Sequence, residues 1–414
     1  MRQNQKQKEN DGKAVVDVPL LADFKSLEHQ NAQTGASFTG SIFNVSTTMI
    51  GAGIMSIPAT MKVLGIVPGF VLILVVAFLV EVTVEFLLRY THSGESNTYA
   101  GMAAESFGRF GSVTVQICVV ITNLGCLIIY FIIVGDVLCG TESDGTVHLG
   151  VLQEWFGVHW WNSRAYALLF IAVFVMLPLV MLRRVDSLKH SSAVSILLAV
   201  FFVAVSSAMA TYALFKGKTQ KLRLFPDFSQ VSVFDLFTTI PVFVTGFGFH
   251  VNVHPIRAEL GKASDMKPAV RISIVICIAI YFAIGFFGYL LYAVHLLLVY
   301  PIMNFSLRVN IDELLFPKKP DLASDTTRFV SMTCVLLALT YIVAIAIPNI
   351  WYFFQFMGST TIVCLSFIFP GAIILRDVHG ISTRGDKIIA ILVIISALVT
   401  SIIAISTNLS GSET

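Results

Sequence analysis

The chain has 414 residues and a net charge of +2, with 56% hydrophobic and only 13% charged residues and a mean hydropathy of +0.82. Soluble globular proteins carry about 25% charged residues, and consecutive apolar windows here are long enough to cross a bilayer. The composition therefore excludes an ordinary soluble domain and predicts a polytopic helical membrane protein. The basic residues form no continuous patch, so no nucleic-acid partner is expected.

The N-terminal residues 1–37 are polar and rich in Gln, Asn, Lys and Glu, which predicts a disordered cytosolic tail. This tail lacks the apolar region of a signal peptide, so the first transmembrane helix is expected to serve as an uncleaved anchor. Residues Asp17 to Leu21 match an acidic dileucine sorting signal, although so short a match also arises by chance. The remaining residues, 38–408, are expected to form one transmembrane domain.

Apolar runs predict spans at 38–64, 66–90, 112–138, 165–182, 192–215, 233–256, 269–307, 328–348, 350–374 and 387–407. The run from Ile272 to Leu307 has no Lys, Arg, Asp or Glu and would form a straight helix of about 54 Å. That length is too great for one span and short for two. A tight hairpin near Gly285 to Tyr292 gives eleven spans in total, and a single tilted span gives ten.

The distribution of Lys and Arg sets the expected orientation. With eleven spans and a cytosolic N-terminus, most basic residues lie in cytosolic loops, as the positive-inside rule requires. The group from Lys216 to Arg223 is the clear exception. The expected location is a vacuolar membrane, another endomembrane or the plasma membrane.

The first predicted span is interrupted near its middle by glycine. It carries Gly51, Gly53 and Pro58, which weaken a helix, beside the small hydroxyl residues Thr47 and Thr48. Irregular backbone at membrane depth is tolerated only where protein or a watery cavity satisfies its polar groups. Secondary transporters use such discontinuous helices to bind solutes near the membrane midplane, so we expect half of a solute site here.

A second interruption is predicted five spans later, from Thr245 to His250. Gly246 and Gly248 alternate with the aromatic residues Phe247 and Phe249, so backbone can approach a ligand that an aromatic ring covers. A glycine-permitted close helix crossing is the alternative. Interrupted segments at matching positions of two repeats favour a transporter site, whose free helix ends would attract a carboxylate and an amino group or cation.

Three titratable groups within predicted spans are candidates for proton coupling or structure. Glu81 lies deep in the second span with no basic residue nearby in sequence, which makes it a candidate proton carrier with a raised pKa. Glu85 is expected to pair with Arg89 one turn later. His250 is a second candidate for protonation. His254 follows at the spacing of a metal pair, but no third ligand accompanies them, so no metal and no cofactor is expected.

Several stretches resemble one known family. They are FNVSTTMIGAGIMSIPATMKVLGIVPG, VEFLLRYTHSGESNTYAGMAAESFG, LPLVMLRRVDSLKHSSAVSI, VTGFGFHVNVHPIRAEL and YPIMNFSLRVNIDELLFP. Together they make the chain similar to the amino acid/auxin permease family, near its sodium-coupled neutral amino acid transporters and plant vacuolar amino acid transporters. The resemblance implies a LeuT-like fold with two inverted five-helix repeats and one further helix. It implies transport of amino acids, mostly neutral ones, rather than enzyme activity.

The resemblance also suggests site residues and two departures. The family's unwound first and sixth helices match Met49 to Gly53 and Thr245 to Phe249. Two positions that help to hold sodium in animal members are Thr47 and Val299 here, and valine offers no side-chain oxygen to a hard cation. Proton coupling is therefore favoured over sodium. A few tens of residues look absent between the seventh and eighth helices.

These observations predict a secondary amino acid transporter that works by alternating access, with proton as the coupling ion and the bilayer as its environment. The expected substrate-binding residues are Thr47, Thr48, Met49, Gly51, Gly53, Thr245, Gly246, Phe247 and Gly248, with Glu81 and His250 for coupling. The alternative is a binding-only sensor or regulatory form. The residues that look absent from the shortened 269–307 region would belong to the wall of the eighth helix, and their loss would impair transport.

Overall fold

The computed structural model describes residues 37–51, 53–143, 146–181, 194, 197–201, 203–204, 207–208, 223–229, 231–260, 262–287, 307–308, 310–316, 322, 325–346 and 350–411. The tail before Ser37, the sorting signal, most of the span predicted at 192–215 and residues 288–306 lie outside the described residues. The predicted hairpin near Gly285 to Tyr292 and the position of Val299 therefore stay predictions.

The N-terminal half begins with a helix in two pieces and continues with two long helices. These are α1 (Phe38–Ile50), α2 (Gly53–Leu64), α3 (Ile66–Ser93) and α4 (Tyr99–Cys139), the last kinked at Gly108. The Ser37 hydroxyl starts α1 by accepting a hydrogen bond from the Gly40 N–H at 3.1 Å, and Thr98 starts α4 in the same way at Gly101. Gly65 joins α2 to α3 with a positive φ of 77°.

A small β-hairpin and a short helix follow α4. Two three-residue strands, β1 (Thr141–Ser143) and β2 (Thr146–His148), pair antiparallel and lead into the short helix α5 (Val151–Phe156). The sequence did not indicate this hairpin, because three-residue strands carry too little periodicity. The apolar helix α6 (Arg164–Val180) comes next and includes a π-helical turn at Ala172–Met176.

The C-terminal half repeats the pattern of a two-piece helix followed by long helices. Its elements are α7 (Val233–Phe247), α8 (His250–Glu259), α9 (Met266–Phe287), α10 (Thr326–Ala346), α11 (Ile350–Met357), α12 (Phe369–Arg376) and α13 (Arg384–Gly411). Two π-helical turns, Gly358–Ile362 and Cys364–Ile368, connect α11 to α12.

Within the described residues, seven helices are long and apolar enough to cross a membrane. They are Ile66–Ser93, Tyr99–Cys139, Val233–Glu259, Ala263–Gly285, Thr326–Ala346, Phe353–Arg376 and Arg384–Thr407. Each overlaps a predicted span, and the helix α6 overlaps the one predicted at 165–182. The prediction of a helical polytopic membrane protein is therefore confirmed.

The two interrupted helices lie in the interior of the bundle. The largest buried apolar cluster joins residues of α1, α2, α3, α7 and α9, including Met49, Ile57, Val80, Phe247 and Tyr281. Helix α9 packs along α1, α2 and α3, while α7 packs on α2. The packing thus brings the first interruption, between α1 and α2, to the second, between α7 and α8.

Candidate functional site

The first interruption separates α1 from α2 at Gly51. This residue has a backbone conformation outside the helix region, with φ −45° and ψ −134°, and α2 begins at Gly53. A Cβ on Gly51 would lie 2.5 Å from the phenol oxygen of Tyr130, so only glycine fits there without a shift. Thr47, Thr48 and Met49 of the preceding turn are buried, and the Thr48 hydroxyl donates to the Val45 carbonyl at 2.8 Å.

The second interruption separates α7 from α8 at Gly248 and Phe249. Gly248 has φ −79° and ψ 73°, and Phe249 has φ −104° and ψ 7°, so two successive residues leave the helix. The side chains of Phe247 and Phe249 are fully buried, and Phe247 packs edge-on against the ring of Tyr281 at 5.1 Å. The prediction of a break within the span 233–256 is confirmed.

The two interruptions touch each other through glycine. A Cβ on Gly53 would lie only 2.5 Å from the Cα of Gly246, a contact with backbone rather than with a flexible side chain. The structure therefore brings together Gly53 and Gly246, one predicted site residue from each of two segments that are far apart in sequence.

One tyrosine links the carbonyl groups of both interruptions. The Tyr281 hydroxyl of α9 lies 2.5 Å from the Met49 carbonyl oxygen and 2.7 Å from the Gly246 carbonyl oxygen. A phenol has one proton to donate, so two acceptors that converge on it exceed its capacity. An ammonium group, which has three donors, is better matched to this arrangement.

Other predicted residues lie on the far side of α7. The Thr245 hydroxyl lies within hydrogen-bond distance of two carbonyls, Pro241 at 2.9 Å and Phe354 at 3.2 Å, so it faces α11. A Cβ on Gly248 would lie 2.6 Å from Cγ2 of Ile362, in the first π-helical turn. These two residues therefore lie against α11 and the turn that follows it.

Sequence reasoning missed Tyr281 and Tyr130. Both lie in apolar helices that carry few other polar groups near them, and both are almost fully buried, with Tyr281 at 0% and Tyr130 at 1% exposure. The signal that could have found them is a hydroxyl in an otherwise apolar span, because a buried phenol needs a partner. The identity of that partner depends on the packing of α4 and α9.

The carboxylates of α3 have other partners than the sequence suggested. The expected pair of Glu85 with Arg89 is wrong: Glu85 binds Lys267 at 2.7 Å, and Arg89 binds Asp386 at 3.0 Å. Glu81 binds Arg271 at 2.6 Å, so it is not isolated from basic residues. These partners come from α9 and α13, which the local sequence could not reveal. The role of Glu81 in coupling stays a prediction.

The histidines of α8 contact threonines of α3. Nε2 of His250 lies 2.9 Å from the Thr83 hydroxyl, and Nε2 of His254 lies 2.9 Å from the Thr91 hydroxyl. Both imidazoles are buried, with exposures of 1% and 4%. Among the described residues no group of three or more His, Cys, Asp or Glu side chains is placed to hold a metal ion.

A membrane-embedded bundle with two glycine-based helix interruptions in contact defines the class of solute transporters with discontinuous helices. The sequence profile of the family described as "Transmembrane amino acid transporter protein" matches residues 34–293 and 290–409. The chain belongs to this family, which is one of transporters and not of enzymes. The two parts of the match adjoin within the long apolar stretch where residues were expected to be absent.

Individual relatives agree with this assignment. The chain is similar to the amino acid transporter AVT6C of Arabidopsis thaliana, with 53% identity over 408 residues that cover 91% of this chain and 94% of that protein. It is 47% identical over 429 residues to AVT6D of Arabidopsis thaliana, covering 95% and 97%. It is 24% identical over 466 residues to the sodium-coupled neutral amino acid transporter 4 of Homo sapiens, covering 90% and 83%.

Proposed function

We propose that this chain is a secondary active transporter that moves neutral amino acids across a membrane in exchange for, or together with, protons. The observation that carries the proposal is the contact between the two interrupted helices, whose Met49 and Gly246 carbonyls converge on one donor. Family membership and the names of the similar amino acid transporters support the substrate class.

The substrate amino group would take the place of the Tyr281 hydroxyl at the two carbonyls. The substrate carboxylate would lie at the free N–H groups that begin α2 and α8, because helix N-termini attract anions. Thr47, Thr48 and Gly51 would line the first side of this site, and Gly246 and Phe247 the second. Thr245 and Gly248 would shape the second side from behind through their contacts with α11 and Ile362.

Transport would proceed by alternating access in a LeuT-like arrangement of two five-helix repeats and one further helix. The interrupted helices α1–α2 and α7–α8 occupy corresponding positions in the two halves, which supports the repeat. Because Gly53 and Gly246 are in contact, a ligand between the breaks requires that α2 and α7 move apart. The protein would be a multi-pass membrane protein of an endomembrane or the plasma membrane, with its N-terminus in the cytosol.

Proton is the preferred coupling ion. Thr47 and Val299 stand at the positions that the family resemblance assigns to sodium ligands, and a valine side chain supplies no oxygen to sodium. Two titratable groups of the predicted spans, the buried His250 and the partly exposed, ion-paired Glu81, are the candidate proton carriers instead.

The test uses the purified full-length protein in liposomes. A one-unit pH gradient is expected to accumulate a labelled neutral amino acid up to about tenfold for one proton per substrate, since a tenfold ratio and one pH unit are both about 1.4 kcal/mol. An equal sodium gradient at uniform pH is expected to give no accumulation. Accumulation driven by sodium alone would contradict the coupling, and absence of any amino acid flux would contradict transport.

A binding-only sensor or regulatory form is the second candidate. It is motivated by the family match, which falls into two parts at residues 290–293, within the shortened stretch. A sensor would show amino acid-dependent thermal stabilisation without flux in liposomes. Flux well above that of empty liposomes would eliminate this candidate.

A further inference from the structure

The two histidines of α8 form a buried pair that faces α3. His250 and His254 are one helical turn apart, so their Cβ atoms lie about 5–6 Å from each other. Each ring places Nε2 at 2.9 Å from a threonine hydroxyl of α3, Thr83 for the first and Thr91 for the second. His250 directly follows the second helix break, whereas His254 lies one turn farther from it.

The threonine hydroxyls determine which ring nitrogen carries the proton. Thr83 Oγ1 donates to the Leu79 carbonyl at 2.9 Å, and Thr91 Oγ1 donates to the Leu87 carbonyl at 2.7 Å. Since each hydroxyl proton has a carbonyl acceptor, each hydroxyl oxygen is free to accept a hydrogen bond from the imidazole Nε2–H. Both histidines are therefore assigned as neutral Nε2–H tautomers.

The opposite tautomer would be less favourable. It would bury an Nδ1–H donor without an acceptor, and orphaned buried N–H groups are rarer in proteins than bare acceptors. Among the described residues, Nδ1 of His250 and Nδ1 of His254 are both buried and make no hydrogen bond. Each Nδ1 thus has a lone pair that can accept a proton.

The neighbouring elements leave few other groups to bind that proton. Helix α1 contains no titratable residue, while α4 contributes Tyr99, whose ring stacks on His254 at 5.8 Å. The turn Cys364–Ile368 contributes Cys364, and α8 itself contributes Arg257, one turn beyond His254. The carboxylates Glu81 and Glu85 of α3 are held by cations of α9.

We propose that His250 and His254 together bind the coupled proton at Nδ1 and carry it between the helix break and the outer part of α8. This inference rests on the proposed proton-coupled transport and names the residues that perform the coupling. A hydrated imidazole changes charge between pH 5 and 8, so water that reaches the open break can protonate the ring.

Nδ1 of His250 both gains and loses the proton. The Nδ1 lone pair of His250 takes a proton from water that enters the open break and forms an imidazolium, while Nε2–H stays on Thr83. Loss of the same proton from Nδ1, through a bridging water to Nδ1 of His254, restores the neutral ring. No oxidant or second reactant is needed.

Burial supplies the link between proton and conformation. An imidazolium enclosed at 1% exposure is costly, so protonation favours the conformations in which the break is open to water. By linkage, a proton that binds one conformation better shifts the protein towards it. Arg257 near His254 adds a repulsion that favours release of the proton.

The experiment replaces each imidazole with a neutral amide in the full-length protein. His250→Gln, His254→Gln and the double variant keep a donor near the threonine but cannot be protonated. Under a one-unit pH gradient the wild type is expected to accumulate a neutral amino acid up to about tenfold, and the double variant to reach only equal concentrations. Counterflow at uniform pH, which needs no net proton movement, is expected to persist.

His92→Gln is the matched control, because His92 lies on α3 beside Thr91 but is exposed. It should accumulate substrate like the wild type. Gradient-driven accumulation in the double variant equal to that of the wild type would overturn the inference while leaving proton-coupled transport intact. Absence of counterflow in the wild type would instead refute the proposed function.

A second variant decides the matter if the glutamine variants do not fold. Thr83→Val keeps both imidazoles and removes the acceptor of the His250 Nε2–H. It is expected to shift the pH of half-maximal gradient-driven uptake by about half a unit or more, because one buried hydrogen bond to the ring is lost. An unchanged pH profile would overturn the role of His250.

Discussion

Helix α3 presents two kinds of titratable neighbours on two of its faces. Towards α9 it places the carboxylates Glu81 and Glu85, which are each 32% exposed at the side chain and paired with Arg271 and Lys267. Towards α8 it places threonines that hold the buried imidazoles of His250 and His254. Ion pairs neutralise the carboxylates on the first face, whereas on the second face Nδ1 of each histidine has no hydrogen-bond partner within the described part of the chain.

The difference shows that an apolar sequence context does not by itself identify the side chain that exchanges protons. A carboxylate in an apolar run looked isolated, yet a cation from a helix 190 positions later sits against it. The histidines looked like an incomplete metal pair, yet each binds a threonine through Nε2 and, among the residues that the structure describes, Nδ1 has no partner. Variants of the break and of each face can therefore separate substrate binding, structure and coupling.

The largest effect is expected where the two helix interruptions meet, at Gly53 and Gly246. Gly53→Ala places a Cβ 2.5 Å from the Gly246 Cα, which must move as backbone, and overpacking of this kind costs about 1–3 kcal/mol. Amino acid counterflow in liposomes should fall to background. Gly385→Ala, whose new Cβ meets only Thr383 Oγ1 at 3.7 Å, serves as control. Equal counterflow in the two variants would contradict the site.

The second largest effect is expected for Tyr281 of α9, whose hydroxyl reaches the carbonyls at both helix interruptions. Tyr281→Phe leaves the Met49 and Gly246 carbonyls without their donor, so the free energy of unfolding should fall by about 1–3 kcal/mol. Thermal unfolding in detergent measures this loss. The stabilisation produced by a neutral amino acid should increase, because its amino group no longer competes with the phenol.

The exposed Tyr166 provides the matched control for this variant. Tyr166→Phe should change neither the unfolding temperature nor the ligand effect. If Tyr281→Phe behaved in the same way, the two carbonyls would not be a shared binding point.

A third prediction concerns the end of α3, where Tyr90 donates to Asp377 at 2.8 Å. The Lys387 ammonium at 2.9 Å, together with hydrogen bonds from Tyr90 and Ser382, holds the pKa of Asp377 well below its usual range. Because the folded pKa is depressed, this stabilisation is present above the unfolded value of about 3.9 and is lost as pH falls below it.

At pH 7 the free energy of unfolding of Asp377→Asn should therefore be about 1–3 kcal/mol lower than that of the wild type, and the variant should unfold at a lower temperature. The difference should shrink below about pH 4, because the Asp377 carboxylate of the unfolded wild-type chain takes up a proton there while that of the folded protein stays ionised. Glu154→Gln, at an exposed position of α5, should show no such difference. A gap between Asp377→Asn and wild type that stayed constant down to pH 3 would exclude this ion pair as its cause.

The smallest effect is expected on the carboxylate face. Glu81→Gln breaks a partly exposed ion pair with Arg271, and pairs of this kind contribute about 0–1 kcal/mol. Gradient-driven accumulation should stay close to that of the wild type. If Glu81→Gln lost gradient-driven accumulation but kept counterflow, Glu81 rather than the two histidines would be the proton carrier.

The sequence predicted local features better than partners. Gly51, Gly53, Gly246 and Gly248 signalled both interruptions because glycine weakens a helix wherever it lies. The long apolar runs likewise predicted the spans now seen at α3, α4, α9, α10 and α13.

Partners depended on packing that no local pattern contains. Tyr281 meets the carbonyl of Met49 across 232 positions, and Thr83 meets His250 across 167. The prediction that Glu85 pairs with Arg89 was wrong for the same reason. Their i,i+4 spacing favours that pair, but α9 supplies Lys267 to Glu85 and α13 supplies Asp386 to Arg89. The contacts of Thr245 with Phe354 and of Gly248 with Ile362 likewise depend on the packing of distant elements, and the role of both residues in substrate binding stays a prediction.

The most direct test of the proposed substrate site is an electron cryo-microscopy map of the full-length protein in lipid nanodiscs with a saturating neutral amino acid. We expect ligand density between Gly51–Gly53 and Gly246–Phe247, with the ligand amino group at the Met49 and Gly246 carbonyls and Tyr281 displaced. Ligand density elsewhere, with Gly53 and Gly246 still in contact and Tyr281 still bridging the two carbonyls, would contradict it.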